Sequence, residues 1–127
     1  MSDRRRQTRA RTNASLDELT RLVLEFREER DWKQFHNSKD QALSLVLEAA
    51  ELLELMQWKN GRELRQYLAK NKHRVSEELA DVLGWVLLMA HDLKIELGKA
   101  FERKIESNRR KYPIEKARGS AKKYTEL

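Results

Sequence analysis

At 127 residues and 15.1 kDa the chain has the length of one domain and can bury one modest core. Gly 4 and Pro 1 are too few turn residues for an all-β or alternating α/β fold, and Cys 0 excludes disulfides, thiol catalysis and cysteine-ligated metal. The net charge of +6 invites a nucleic-acid reading, but much of the excess sits in Arg4, Arg5, Arg6, Arg9, Arg11 and from Lys104 onward, as solvated ends do.

In chain order, residues 1–14 carry almost no apolar content and are expected to be a disordered basic tail. Ser15 and Glu18 then form a capping box, and Leu19, Leu22, Val23 and Phe26 follow at helical spacing, which predicts a first helix to about Arg30. Residues 31–37 (DWKQFHN) read as a connector with two aromatics and a histidine. Ser38 with Gln41 reads as a second box, opening a helix over 39–60 that Gly61 stops in a left-handed cap. A short helix over 62–70 leads to a polar break at Asn71 and Lys72. A third long helix covers 75–93, and a fourth runs from about Glu96 to Tyr112, because Pro113 cannot continue it. Residues 114–127 show no clear periodicity and read as a C-terminal extension to a helical domain over 15–113. The strong helix formers Leu, Ala, Glu, Lys and Arg dominate, so the expected class is all-α. The longest apolar run, Val82 to Ala90, has nine residues. A membrane span needs about 20. A cytoplasmic chain without a membrane partner is expected.

Two of these helices carry acids in an unusual setting. The second is apolar nearly all round (Leu43, Leu45, Val46, Leu47, Leu52, Leu53, Leu55), yet it holds Glu48, Glu51 and Glu54 with no Lys or Arg between Lys39 and Lys59. The third repeats the pattern, with Glu77, Glu78 and Asp81 among Val75, Leu79, Val82 and Leu83 and no Lys or Arg over 75–93. The neighbours of Glu48 and Glu51 at i±4 are Ser44, Leu52, Leu47 and Leu55, so the usual ion pairs are closed to them. Glu48 and Glu51 share a helix face, and so do Glu78 and Asp81. Two facing antiparallel helices would converge four carboxylates, a hard oxygen set suited to Mg²⁺ or Mn²⁺ and hence to phosphate substrates. A single E-x-x-E occurs in many solvated helices and carries nothing; two pairs on two apolar helices do. Trp58, seven residues after Glu51, and Trp85, four after Asp81, fall by helical periodicity on the carboxylate faces, where a ring can stack on a base. Core packing is the competing reading for either one alone.

The run EAAE (Glu48 to Glu51) followed by ELAD (Glu78 to Asp81) resembles the signature of the MazG-like all-α nucleoside triphosphate pyrophosphatases. RDWKQFH, ELLELMQW, EELADVL, NRRKYP and KYTEL resemble the dCTP pyrophosphatase branch of that superfamily. The resemblance runs from about Leu16 to the end. It implies a MazG-like four-helix bundle that oligomerises through its long central helices, with a dimer of dimers as the expected homo-oligomer. It further implies Mg²⁺ held by Glu48, Glu51, Glu78 and Asp81 and hydrolysis of a deoxynucleoside triphosphate to the monophosphate and pyrophosphate. Trp32, Gln34, Phe35 and His36, with Trp58 and Trp85, are implied to line the nucleotide pocket. Lys104 and Asn108, i,i+4 on the fourth helix, are polar candidates for the phosphate chain. Two positions depart from the branch: Val23 stands where a His is expected and Trp85 where a Tyr is expected, and both bear on base choice. The rival readings are a related pyrophosphohydrolase of different base preference and a basic helical nucleic-acid-binding module. The second would bind with steep salt dependence and without hydrolysis, and it leaves the Lys- and Arg-free acidic helices unexplained.

Overall fold

The computed structural model describes residues 11–127, so Arg4, Arg5, Arg6 and Arg9 of the expected basic tail lie outside the described residues. Helices α1 (Leu16–Glu29), α2 (Ser38–Met56), α3 (Gly61–Lys70), α4 (Lys72–Asp92), α5 (Leu97–Lys111) and α6 (Ile114–Ala117) follow one another, with short 3₁₀ turns at Lys33–Phe35 and Tyr124–Glu126. No strand occurs among the described residues, as the composition predicts. The chain forms two compact units, one ending at Met89 and one running from Ala90 to Leu127.

In the first unit, Ser15 caps α1 by accepting from the Glu18 N–H at 3.1 Å. Glu18 Oε1 accepts from the Ser15 hydroxyl at 3.2 Å rather than from its backbone N–H. The inward stripe of α1 is Leu19, Thr20, Val23, Leu24 and Arg27; Leu22, expected on that face, is exposed. The expected box at Ser38 and Gln41 does not form. Asn37 is the cap of α2, accepting from the Asp40 N–H at 2.9 Å, and Gln41 is 1 % exposed. Asn is as good an N-cap as Ser, and the inward side chain at position 41 is not available to reach back.

The far end of α2 also differs from expectation. The helix stops at Met56, and Trp58 takes the left-handed conformation (φ 67°) that was expected of Gly61. Gly61 is left-handed as well (φ 51°), but it opens α3. A lone Asn71 separates α3 from α4: its side chain donates to the Tyr67 carbonyl at 2.9 Å, and its own carbonyl accepts from Arg74 and Val75. The α4 helix therefore begins at Lys72, three residues before the expected Val75.

Helix α2 has two unlike faces. Gln41, Ser44, Leu45, Glu48, Leu52 and Leu55 are buried or half-buried, whereas Leu43, Val46, Leu47 and Leu53 are 56–64 % exposed. On α4 the burial deepens toward the end of the unit, where Leu87 and Leu88 are nearly inaccessible.

In the second unit, Lys94 (φ 57°) ends α4 through Lys94 N–H to His91 O and Ile95 N–H to Ala90 O, and α5 follows from the Glu96 cap. The aperiodic 114–127 stretch is ordered locally by side chains. Tyr112 meets Tyr124 edge to face at 5.9 Å, and the Lys111 ammonium lies 5.1 Å from the Tyr124 ring centre.

Candidate active site

Helical spacing does the first part of the work. Because α2 buries the face that carries Glu48, and α4 the face that carries Glu78, the first unit brings acids from two helices together. Carboxylate oxygens of Glu48, Glu78 and Asp81 all lie within 4.8 Å of one another. Glu51, the fourth expected ligand, lies outside that tight set and is exposed. Its side chain is nonetheless within hydrogen-bonding reach of both Glu48 and Glu78, and its charge acts on both.

Burial and like charges disfavour the ionised form. The Glu48 carboxyl is pushed up to about 7, first by burial and then by Glu51, Asp81 and Glu78. Glu78 is raised for the same reasons, burial first and then Glu51 and Asp81. Oε2 of Glu48 and Oε2 of Glu78 are buried and accept no hydrogen bond among the described residues. Buried carboxylate oxygens without donors are costly unless a cation meets them. Three converging carboxyls with two such oxygens fit a hard divalent cation.

Beside the acids lies a cavity of about 350 Å³. Helix α1 contributes Val23, Phe26 and Arg27; the connector contributes Trp32 and His36; α2 contributes Glu48; α4 contributes Asp81, Gly84 and Trp85. One wall is thus carboxylate and the rest largely aromatic. Trp32 meets Phe26 edge-on at 5.6 Å, and His36 meets Trp85 at 5.2 Å and 64°. Arg30 lies 3.8 Å over the Phe26 ring and reinforces this side. Both positions that depart from the branch, Val23 and Trp85, are in the cavity wall.

The structure thus brings Trp32, His36 and Trp85 to the acids, whereas Gln34, Phe35 and Trp58 of the same unit do not line this cavity. Gln34 holds the connector, its amide donating to the Asp31 carbonyl at 2.9 Å and to Asp31 Oδ2 at 3.0 Å. Phe35 is exposed and does not line the cavity. Trp58 is 87 % exposed. Helical periodicity from Glu51 does not carry to it, because α2 ends two residues earlier. In the second unit, Lys104 lines a shallow cavity with Arg103 and Ser107, and Asn108 is half-buried. Arg27 is the residue the sequence reading passed over. It occupies an inward position of the α1 stripe, and a cation there was the available signal.

A profile of the MazG-like family matches residues 43–127, a span that includes both carboxylate pairs. The chain belongs to the MazG-like family. Among its relatives, dCTP pyrophosphatase 1 of Rattus norvegicus is 41 % identical over 115 residues, covering 89 % of this chain and 68 % of the relative. The Homo sapiens dCTP pyrophosphatase 1 shows the same identity and coverage. A pyrophosphatase from Archaeoglobus fulgidus superposes with a TM-score of 0.74 at 38 % identity, over 82 % of this chain and 97 % of that one. Within this MazG-like fold no described helix is long and apolar enough to cross a membrane.

Proposed function

We propose that this chain is a divalent-metal-dependent pyrophosphohydrolase that cleaves dCTP between the α- and β-phosphates. Water and dCTP give dCMP and pyrophosphate. The observation that carries this reading is the convergence of Glu48, Glu78 and Asp81 within 4.8 Å at the wall of an aromatic cavity. Its relatives of similar sequence are dCTP pyrophosphatases.

Glu48, Glu78 and Asp81, joined by Glu51, would hold Mg²⁺, with Mn²⁺ as a substitute. When bound, the ion neutralises phosphate charge and polarises the α-phosphorus. The residues of the chain do the rest. Trp32 and Trp85 hold the base, with His36 against the Trp85 ring. Glu51 lies outside the tight trio, so of the four acids it is the one an ion there would engage least, and it is assigned the proton of the attacking water.

Assembly belongs to the same proposal. Leu43, Val46, Leu47 and Leu53 form one exposed apolar stripe on α2, and a stripe of this kind marks an interaction surface. A second copy of the chain covers it, with a dimer of dimers as the complete enzyme, acting in the cytoplasm. Trp58, exposed in the single chain, is assigned to the nucleotide pocket of that assembly. The test is product analysis of dCTP, dTTP, dUTP, dATP and dGTP turnover in Mg²⁺. The proposal expects dCMP with pyrophosphate, fastest from dCTP; dCDP with orthophosphate, or equal rates for all five, would contradict it.

A further inference from the structure

Arg27 is 3 % exposed, the one charged side chain buried to that degree among the described residues. It lies in the cavity wall beside His36, and its Nη1 stands 3.5 Å from His36 Nδ1. A guanidinium has five N–H donors and no acceptor, so in this contact Nδ1 can only accept. The imidazole then carries its proton on Nε2. Which nitrogen bears the proton is set by the bond the other makes.

The backbone of Arg27 is tied to the same connector. Its carbonyl accepts from the Trp32 N–H at 3.1 Å and from the Arg30 N–H at 3.3 Å. One residue of α1 therefore anchors both aromatic members of the connector that reach the cavity: Trp32 through the main chain and His36 through the side chain. The His36 ring also meets Trp85 at 5.2 Å and 64°. The ring is thus held at Nδ1 by Arg27 and packed against Trp85.

We propose that Arg27 is a positioning residue for this pocket. It holds His36 in the Nε2–H tautomer against Trp85 and so sets how tightly a nucleotide is bound. The proposal rests on the reading of the cavity as the nucleotide pocket. Arg27 does not meet the reacting phosphorus in this account, so its loss should act on KM more than on kcat.

Long-range ¹H–¹⁵N correlation spectra of ¹⁵N-labelled protein near neutral pH, without nucleotide, read the tautomer directly. The wild type should show His36 protonated on Nε2 with a bare Nδ1. Arg27→Met keeps the buried volume and removes the donor; its His36 signals should move toward a mixture of tautomers. Its KM for dCTP should rise roughly tenfold with kcat changed less than about threefold, the pattern of lost ground-state binding. Arg27→Lys, still a cationic donor, should restore most of the KM, and it serves with Arg27→Gln if the Met variant does not fold. An Nδ1–H ring in the wild type, or an Arg27→Met protein whose ring signals and KM match the wild type, overturns the proposal. A wild-type chain that releases no pyrophosphate from dCTP fails the pocket reading instead, and the nucleotide-free spectra still decide the tautomer.

Discussion

Protons and metal should compete at Glu48, and the competition should fall in the neutral range. In the metal-free protein the Glu48 carboxyl is pushed up to about 7 by burial and by Glu51, Asp81 and Glu78. The carboxylate share is then about a tenth at pH 6, about half at pH 7 and about nine tenths at pH 8. Because the metal takes the carboxylate form, its apparent Kd should tighten about fivefold from pH 6 to 7 and about twofold more by pH 8. A glutamate at the ordinary 4.5 would give a flat line over that range. The stability of the metal-free chain should run the other way. A folded-state value raised above the unfolded one favours the fold below about 4.5 and loses that contribution as pH climbs through about 7. The raised Glu78 acts in the same direction. Titration calorimetry with Mn²⁺ at several pH values measures the first effect and thermal melts in EDTA the second. Glu51→Gln removes one negative neighbour and should move both profiles to lower pH, though not to 4.5, because burial is the larger cause. A Kd that does not change between pH 6 and 8 would refute the reasoning.

Other perturbations separate packing from function. Leu53, 64 % exposed on the apolar stripe of α2, should tolerate Glu within the chain but break assembly; Leu53→Glu protein of unchanged size by light scattering rules out that face. Trp58→Ala removes a ring with little burial in its own chain, so the melting temperature of the dissociated chain should shift by no more than about 2 °C. Its KM for dCTP should nonetheless rise in the assembled enzyme, and an unchanged KM removes Trp58 from the pocket. Gly84 lies inside α4 on the cavity wall, and a Cβ built there meets nothing within 4 Å. Gly84→Ala should therefore stabilise the helix by about 0.5–1 kcal/mol while narrowing the pocket and raising KM. A destabilised variant, or one with an unaltered KM, argues against that placement.

What was legible in the sequence is what helical periodicity can carry. Glu48, Glu78 and Asp81 converge as their spacing on the two Lys- and Arg-free stretches 40–58 and 75–93 implied, and Trp85 reaches the cavity one turn after Asp81. Trp58 shows the limit: the same periodic argument fails because α2 ends at Met56, Gln57 leaves helical geometry (ψ 135°) and Trp58 then turns left-handed, a conformation more readily expected of Gly61. Asn37 and Ser38 compete for one cap with similar propensities, so pattern alone does not choose between them, and pairing Gln41 with Ser38 as a capping box assigns a cap role to a side chain that in fact points inward. Gln34 and Phe35 share a connector with Trp32 and His36. Only the turn geometry decides which side chains face the acids, and a stretch of five residues does not encode that by pattern. Arg27 escaped because a long cationic side chain on a helix normally reaches water. Its side chain meets His36 in the connector, nine positions away, a pairing that helical spacing does not bring out.

On the proposed function, these carboxylates hold a metal that dCTP hydrolysis requires. Pyrophosphate release from dCTP by the wild type and by Asp81→Asn, each in Mg²⁺ and in excess EDTA, tests it most directly. Turnover should appear only for the wild type in Mg²⁺, while circular dichroism shows both proteins equally helical. Pyrophosphate released at the wild-type rate by Asp81→Asn, or by the wild type in EDTA, would contradict the account.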